Sequence, residues 1–208
     1  MHLARAKIIP MATTAGLRER NKQERRRRLE DVAIELFERD GFESTTIEQI
    51  AAAAGIAPRT FFSYFVTKDD LVLADYTDRL GRILEILSNT PADQPAWDAL
   101  RTSFAAVAAD YESEAERIRR RFLIMVRTPS VFARNLQLQA GWEQALTAHL
   151  TARLGSTSDD ALPRLLAATA LAVMRASLQH WLTQPGTAAL PDLVQQAFDR
   201  IGSGLTTH

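Results

Sequence analysis

The sequence predicts an all-α fold, and three observations carry that expectation. Apolar residues recur at helical spacing along nearly the whole chain, and strand-like alternation of Val, Ile and Thr is absent. Clusters of Gly, Pro and Ser cut the pattern into pieces of helical length. The 208 residues are enough to bury a core without staples. The absence of cysteine excludes disulfides, thiolate metal sites and cysteine nucleophiles, and fits a cytoplasmic protein. No apolar run reaches the roughly 18–20 residues that span a bilayer, so no membrane association is expected.

The opening MHLARAKIIP is too short in apolar residues for a secretory signal. Residues 1–16 read as a disordered extension, with Met11 an alternative start, and two domains follow over 17–67 and 68–208. The first helix is expected from about Leu17 to Arg39, because Leu29, Val32, Ala33, Leu36 and Phe37 form one apolar stripe. Gly41 is placed to end it in a left-handed conformation. A second helix spans about Ile47–Ala54, with Thr45/Glu48 or Thr46/Gln49 as capping box. Gly55 breaks it. A short third helix starts at Pro58, where the missing N–H costs nothing, and ends near Tyr64. A fourth is expected from Lys68–Asp70 to about Leu87, before the two prolines of Ser88–Pro95. Further helices are expected at about Ala96–Tyr111, Glu114–Arg127, Ser130–Leu154, Asp160–Thr183 and Leu190–Leu205.

The whole chain is formally neutral, with 25 basic and 25 acidic residues, but the charge is unevenly placed. Arg18–Arg28 holds seven basic and two acidic residues, net +5, and acidic residues dominate from Glu30 to Glu48. A local basic arm on a neutral protein points to a polyanion touched at one place. Four consecutive helical residues span about 300°, so Arg25–Arg28 cannot all meet one duplex. Arg25 and Arg28, which continue the spacing of Lys22, are the favoured pair.

Beyond that arm, GFESTTIEQIAAAAGIAPRTFFSYFVTKDDL carries the strongest signal. Two short helices joined by Gly55-Ile56-Ala57 have helix-turn-helix spacing. Ala51 and Ala54 are small enough for close helix approach, with Ile50, Ile56 and Phe65 filling the wedge. The third helix then presents Pro58, Arg59, Thr60 and Tyr64 outward, as a major-groove reader does. Arg59 suits guanine N7 and O6. Thr60 suits a phosphate or a thymine methyl, and Tyr64 and Lys68 suit phosphates. Thr45 and Thr46 are helix caps that also suit phosphate. Phe61 and Phe65 read as core.

These residues, from Thr45-Thr46 through Ala-Gly-Ile, Thr-Phe-Phe, Tyr-Phe and Lys68, resemble the signature of TetR-family transcriptional regulators. The resemblance implies a DNA-binding domain on a helical bundle that dimerises and binds a small molecule, most often in a repressor. Many members have Tyr where this chain has Phe62. That loses a hydroxyl-to-phosphate bond and suggests that Phe62 is core. The run RIRRRFLIMVRTPSVFARNLQLQAGWEQAL, 117–146, is similar to actinobacterial regulators associated with mycofactocin gene clusters. That likeness implies acyl-CoA effectors.

For a ligand site, the candidates are the large or adaptable Phe104, Tyr111, Met125, Trp142 and Met174, and the polar Arg127, Asn135, Arg175 and Gln179 beside apolar stripes. Most such residues serve equally as ordinary core or satisfied surface. Arg175, in an otherwise apolar run, needs a partner, either Glu143 or an anionic ligand. The last two long helices are candidates for a two-fold interface through Leu166, Ala170, Val173, Ser177 and Trp181 or an adjacent face. His2, His149, His180 and His208 are dispersed, so neither a metal nor a cofactor is expected. No Glu-x-x-His pair, nucleophile elbow or phosphate loop suggests an enzyme. A helical adaptor or a DNA-packaging protein without sequence preference is the alternative.

Overall fold

A computed structural model describes residues 14–74, 76–157, 159–184, 186 and 188–204. The chain divides into two compact units, Met1–Leu71 and Val72–His208. Helix is the regular structure of both. Most of the extension expected over 1–16 lies outside the described residues, but α1 (Thr14–Asp40) already includes its last three.

In the first unit, α1 ends at Gly41, whose φ of 90° no β-carbon favours, and whose N–H reaches Phe37 O at 3.0 Å. The helix α2 (Ile47–Ala54) is capped by Thr46, which forms the capping box with Gln49. It stops at Gly55 (φ 72°), where the N–H groups of Gly55 and Ile56 reach back to Ala52 and Ala51, the bond pair of a Schellman ending. The helix α3 (Pro58–Phe61) is followed by turns through Tyr64. Leu29, Ala33, Leu36, Phe37, Ile50, Ala51, Ala54, Phe61 and Phe65 are all buried, as the apolar pattern requires.

The expected fourth helix is not continuous. It forms as α4 (Asp69–Val72) and α5 (Tyr76–Ser88), interrupted at Leu73–Ala74. Leu71, Val72, Leu73 and Ala74, at the break, are all buried.

The second unit packs α6 (Ala96–Glu112) among α5, α9 (Leu162–Thr183) and α10 (Leu190–Gly202), with α7 (Ala115–Arg127) and α8 (Pro129–Leu154) completing the bundle. Small residues on α6, including Ala99, Ser103 and Ala108, are fully buried and let its neighbours approach. Phe198 of α10 packs on Trp97 and Phe104, with ring centroids 4.6 and 5.9 Å away. Trp97 Nε1 donates to Phe198 O at 3.1 Å, and Glu112 accepts from Leu190 N at the start of α10. The face proposed for dimer contact needs correction. Ala170, Val173 and Ser177 are buried within the chain itself, because α9 is packed by α6, α8 and α10 together.

Arg153, near the end of α8, donates to the carbonyls of Leu87, Thr90, Pro91 and Gln94. One guanidinium thus holds the whole α5–α6 loop. Charged hydrogen bonds contribute about 1.5–3 kcal/mol each at best, and orphaned carbonyls add a penalty. Arg153→Met is therefore expected to lower the stability of this unit by about 2–4 kcal/mol. Urea unfolding followed by tryptophan emission checks this, since Trp97, Trp142 and Trp181 all lie there. A second expectation concerns pH. Burial, and then the charge of Arg153, hold His149 below the ordinary histidine value of 6.5. The unfolded chain therefore binds the proton more readily. The unit keeps this contribution above pH 6.5 and loses it as pH falls toward the lowered value. In His149→Gln this part of the acid sensitivity is expected to vanish from pH-dependent urea midpoints.

Candidate nucleic-acid interface and ligand cavity

On the first unit, the residues expected to meet DNA separate into three groups. Pro58 and Arg59 are exposed, and Thr60 and Tyr64 are half-buried. On α1, Arg25, Arg27 and Arg28 are exposed. Arg26 instead turns to Glu30, 3.2 Å away and itself 2% exposed, and its guanidinium lies 5.4 Å from the Phe65 ring centroid. The basic stretch of α1 therefore runs beside the end of the recognition segment. Thr46 is exposed and caps α2.

Two expected phosphate contacts are turned inward. Thr45 is 1% exposed, and its hydroxyl donates to Gly41 O at 2.8 Å. Its side chain is thus committed to the loop between α1 and α2, and the cap falls to Thr46. Lys68 is the larger correction. Its ammonium donates to the carbonyls of Phe42 (2.7 Å), Thr45 (3.2 Å) and Glu43 (3.4 Å), and sits 4.4 Å from the Phe42 ring centroid. An ammonium has three donors, and this loop occupies them. The α4 start is also occupied, since Asp70 accepts from Val66 N and Thr67 N.

Phe62 departs from expectation in the other direction. It is 59% exposed rather than core, and Val66 nearby is 79% exposed. Phe61, against which Phe62 packs edge-on at 5.4 Å, already fills the interior. The sequence signal was present: Phe61 and Phe65 are four apart and share the inner face, which leaves Phe62 about 100° away.

The second unit contains a cavity of about 430 Å³. Tyr111 of α6, Met125 of α7 and Asn135 and Trp142 of α8 line it. From α9, Met174, Arg175 and Gln179 complete the set that the sequence suggested. Two candidates do not join them. Phe104 lies about two turns, roughly 10 Å, before Tyr111 on α6, where Phe198 packs on it. Arg127 ends α7 facing solvent. Missed were Phe122, Val126, Phe132, Leu136, Gln139, Leu171 and Leu178, which extend the same i, i+3 and i+4 rows on α7, α8 and α9. Arg175 is exposed and donates to Gln139 Oε1 at 3.2 Å, whereas Glu143 pairs with Arg164 at 2.9 Å. Exposure to water removes the need for a carboxylate that a fully buried Arg175 would have. A second, smaller cavity of about 70 Å³ shares Tyr111, Phe122, Met125 and Leu178, and reaches Val72 and Leu73. There Arg79 lies 3.7 Å from the Tyr111 ring centroid, with Glu114 3.8 Å from its guanidinium.

Comparison with known proteins agrees with both halves. The family model described as bacterial regulatory proteins, tetR family, matches residues 29–74. The model of the MftR C-terminal domain matches residues 94–206. The chain is 34% identical over 177 residues to the protein of Mycobacterium tuberculosis named as the mycofactocin biosynthesis transcriptional regulator MftR, covering 85% of this chain and 89% of that one. Among solved structures, a TetR-family regulator from Syntrophomonas wolfei superposes with a TM-score of 0.62 at 18% identity, covering 89% of this chain and 98% of that one. FadR from Thermus thermophilus, solved with lauroyl-CoA, superposes with a TM-score of 0.56 at 22% identity, covering 88% and 96%. These two likenesses show a shared fold. Among the described residues no helix is long and apolar enough to cross a membrane.

The inward turn of Lys68 generates a specific expectation. Lys68→Met is expected to destabilise the N-terminal unit by about 1–3 kcal/mol, because three carbonyls lose their donor. Far-UV circular dichroism melting measures it. An unchanged melt, with only a shallower salt dependence of DNA binding, would instead make Lys68 a phosphate contact.

Proposed function

The chain belongs to the TetR family and is a helix-turn-helix transcriptional regulator, and from that premise we propose that it is a ligand-responsive repressor acting as a homodimer on a palindromic operator. Its DNA surface comprises Arg25, Arg28, Thr46, Pro58, Arg59, Thr60 and Tyr64, with exposed Phe62 and Val66 beside them. Arg59 reads guanine in the major groove, and Arg25 and Arg28 neutralise phosphates. Phe62 offers an apolar surface to a thymine methyl where a tyrosine would reach a phosphate.

A palindrome needs two recognition helices about 34–36 Å apart, hence a dimer. The face of α9 next to the one first considered supports this. Leu162 and Leu165 are 46% and 63% exposed, and Thr169, Ala172 and Ala176 continue them at alternating three- and four-residue steps. That is the spacing of an interhelical seam, and small residues at its far end allow close approach.

The cavity of about 430 Å³ carries the effector reading. It is walled by apolar side chains with a few polar groups, as ligand sites are. An acyl-CoA, or another apolar small molecule, is the effector class that the lauroyl-CoA complex of the T. thermophilus relative suggests. The smaller cavity shares its wall and touches Val72 and Leu73, the first residues after the unit boundary. A ligand that moves this wall biases the segment leading to the DNA-binding unit. A coupling of about 1–3 kcal/mol changes operator affinity 5–150-fold.

Titration against the DNA upstream of its gene, with scrambled competitor, at two salt concentrations and with or without lauroyl-CoA, tests the proposal. Competitor-resistant, salt-sensitive binding released by the thioester is expected. Arg59→Ala is expected to lose about 1–3 kcal/mol at one base position. Arg25→Ala and Arg28→Ala are expected to weaken all duplexes alike and lower the salt slope by about 1 each. Equal loss on every sequence for Arg59→Ala would favour a DNA-packaging protein instead.

A further inference from the structure

Glu30 is the only buried carboxylate among the described residues, and it stands on the helix that carries the basic arm. A carboxylate at 2% exposure needs a partner. Arg26 donates to it from one turn earlier, Nε to Oε1 at 3.2 Å. In this pair the cation precedes the anion, the order that a helix favours less. The local gain along α1 is therefore small, and the use of the pair lies in what else it touches. Arg25, Arg27 and Arg28 are all exposed, whereas Arg26 is half-buried.

The Arg26 guanidinium lies 5.4 Å from the centroid of Phe65, within the range of a cation–aromatic contact. Phe65 closes the recognition segment. It is 4% exposed, its N–H reaches Phe61 O at 3.1 Å, and the two rings are 5.7 Å apart. With only four residues in α3, the segment takes its direction from these two anchors. A tilt at the Phe65 end moves Arg59 at the other end. A bidentate base contact has strict geometry, while a phosphate contact from a long exposed arginine tolerates such a tilt.

Resting on the reading of Arg59 as a base contact, we infer that Glu30 and Arg26 are positioning residues for sequence readout. Glu30 draws Arg26 out of the basic arm and sets its guanidinium against Phe65, which fixes the recognition segment and with it Arg59. Arg26 thus serves discrimination between sequences, whereas Arg25 and Arg28 serve affinity for any duplex.

The test uses the full-length protein, a duplex that the parent selects from a random pool, and a scrambled duplex of the same composition. Fluorescence anisotropy over a range of salt gives both affinities and the salt slope. Arg26→Lys keeps the charge but not the planar fork, and Arg26→Ala removes both. Each is expected to lower the ratio of selected to scrambled affinity about tenfold or more, at the parent's salt slope. Glu30→Met leaves no buried charge behind and frees Arg26 to meet a phosphate. There the ratio is expected to fall while scrambled DNA binds more tightly, with a slope steeper by about 1. Stoichiometric titration normalises each affinity to the folded fraction, so a loss of fold alone moves neither ratio nor slope. If Arg26→Ala weakens both duplexes alike and lowers the slope by about 1, Arg26 is a phosphate contact and the inference is overturned. An unchanged ratio in Arg26→Lys and Glu30→Met also overturns it, and leaves the Arg59 reading intact. A parent that selects no sequence from the pool overturns both.

Discussion

The geometry of the N-terminal unit depends on one ammonium group. Lys68 closes the loop between α1 and α2 by donating to Phe42, Glu43 and Thr45 carbonyls, 23 to 26 residues back along the chain. That loop sets where α2 begins, and Thr45 tightens it from within by bonding Gly41 O. With α2 placed, Gly55 fixes the angle at which α3 leaves it, and Phe61 and Phe65 pin α3 into the core. A short helix with few internal bonds has little stability of its own. Its direction must come from what surrounds it, and here that means the clamp on one side and two phenylalanines on the other.

Arg153 solves a similar problem in the C-terminal unit. Chain reversals leave carbonyls without helical partners, and the α5–α6 loop contains Pro91 and Pro95, which add carbonyls but no N–H groups. A guanidinium supplies several donors in one plane and can serve such a loop where an ammonium cannot span it. The two units thus meet an identical accounting demand with the cation that fits each loop's shape. Both cations make their shortest contacts with backbone carbonyls, and the Glu43 carboxylate lies farther from Lys68, at 4.0 Å.

This also explains what the sequence made legible. The capping residues, the glycine stops and the helix spacing of residues 41–65 are local, so propensity and backbone sterics decide them. Seven of the nine cavity candidates lie on its wall, because apolar rows at helical spacing must face an interior, and polar residues beside those rows sit at its edge. Which interior they face is a tertiary matter. Phe104 and Tyr111 lie on one row of α6, yet one meets Phe198 and the other the cavity. Likewise Ala170, Val173 and Ser177 form a good stripe, but α9 is packed on several sides, so the stripe is core and the adjacent one is left exposed or half-buried. Charge was the least legible property. Lys68, Arg26 and Arg153 look like surface cations in the sequence, and only the fold reveals the carbonyls, carboxylate and ring that face them.

The disposition of charge bears on how selective the proposed DNA surface can be. Phosphate contacts raise affinity for every duplex alike, so a surface built chiefly from cations binds widely and discriminates little. Here Arg26 is paired to Glu30 and Lys68 is committed to backbone, which withdraws two cations from that surface. The exposed recognition segment instead combines one guanidinium, Arg59, with the apolar Pro58, Phe62 and Val66. Apolar side chains gain nothing from phosphate and something from a thymine methyl, and Arg59 gains most from guanine. On the proposed reading, a neutral protein with this distribution would hold weakly to random DNA at physiological salt, and its preference for an operator would rest on base edges. That balance suits a regulator which an effector must be able to release, because a coupling of about 1–3 kcal/mol shifts occupancy only where affinity is not already in large excess.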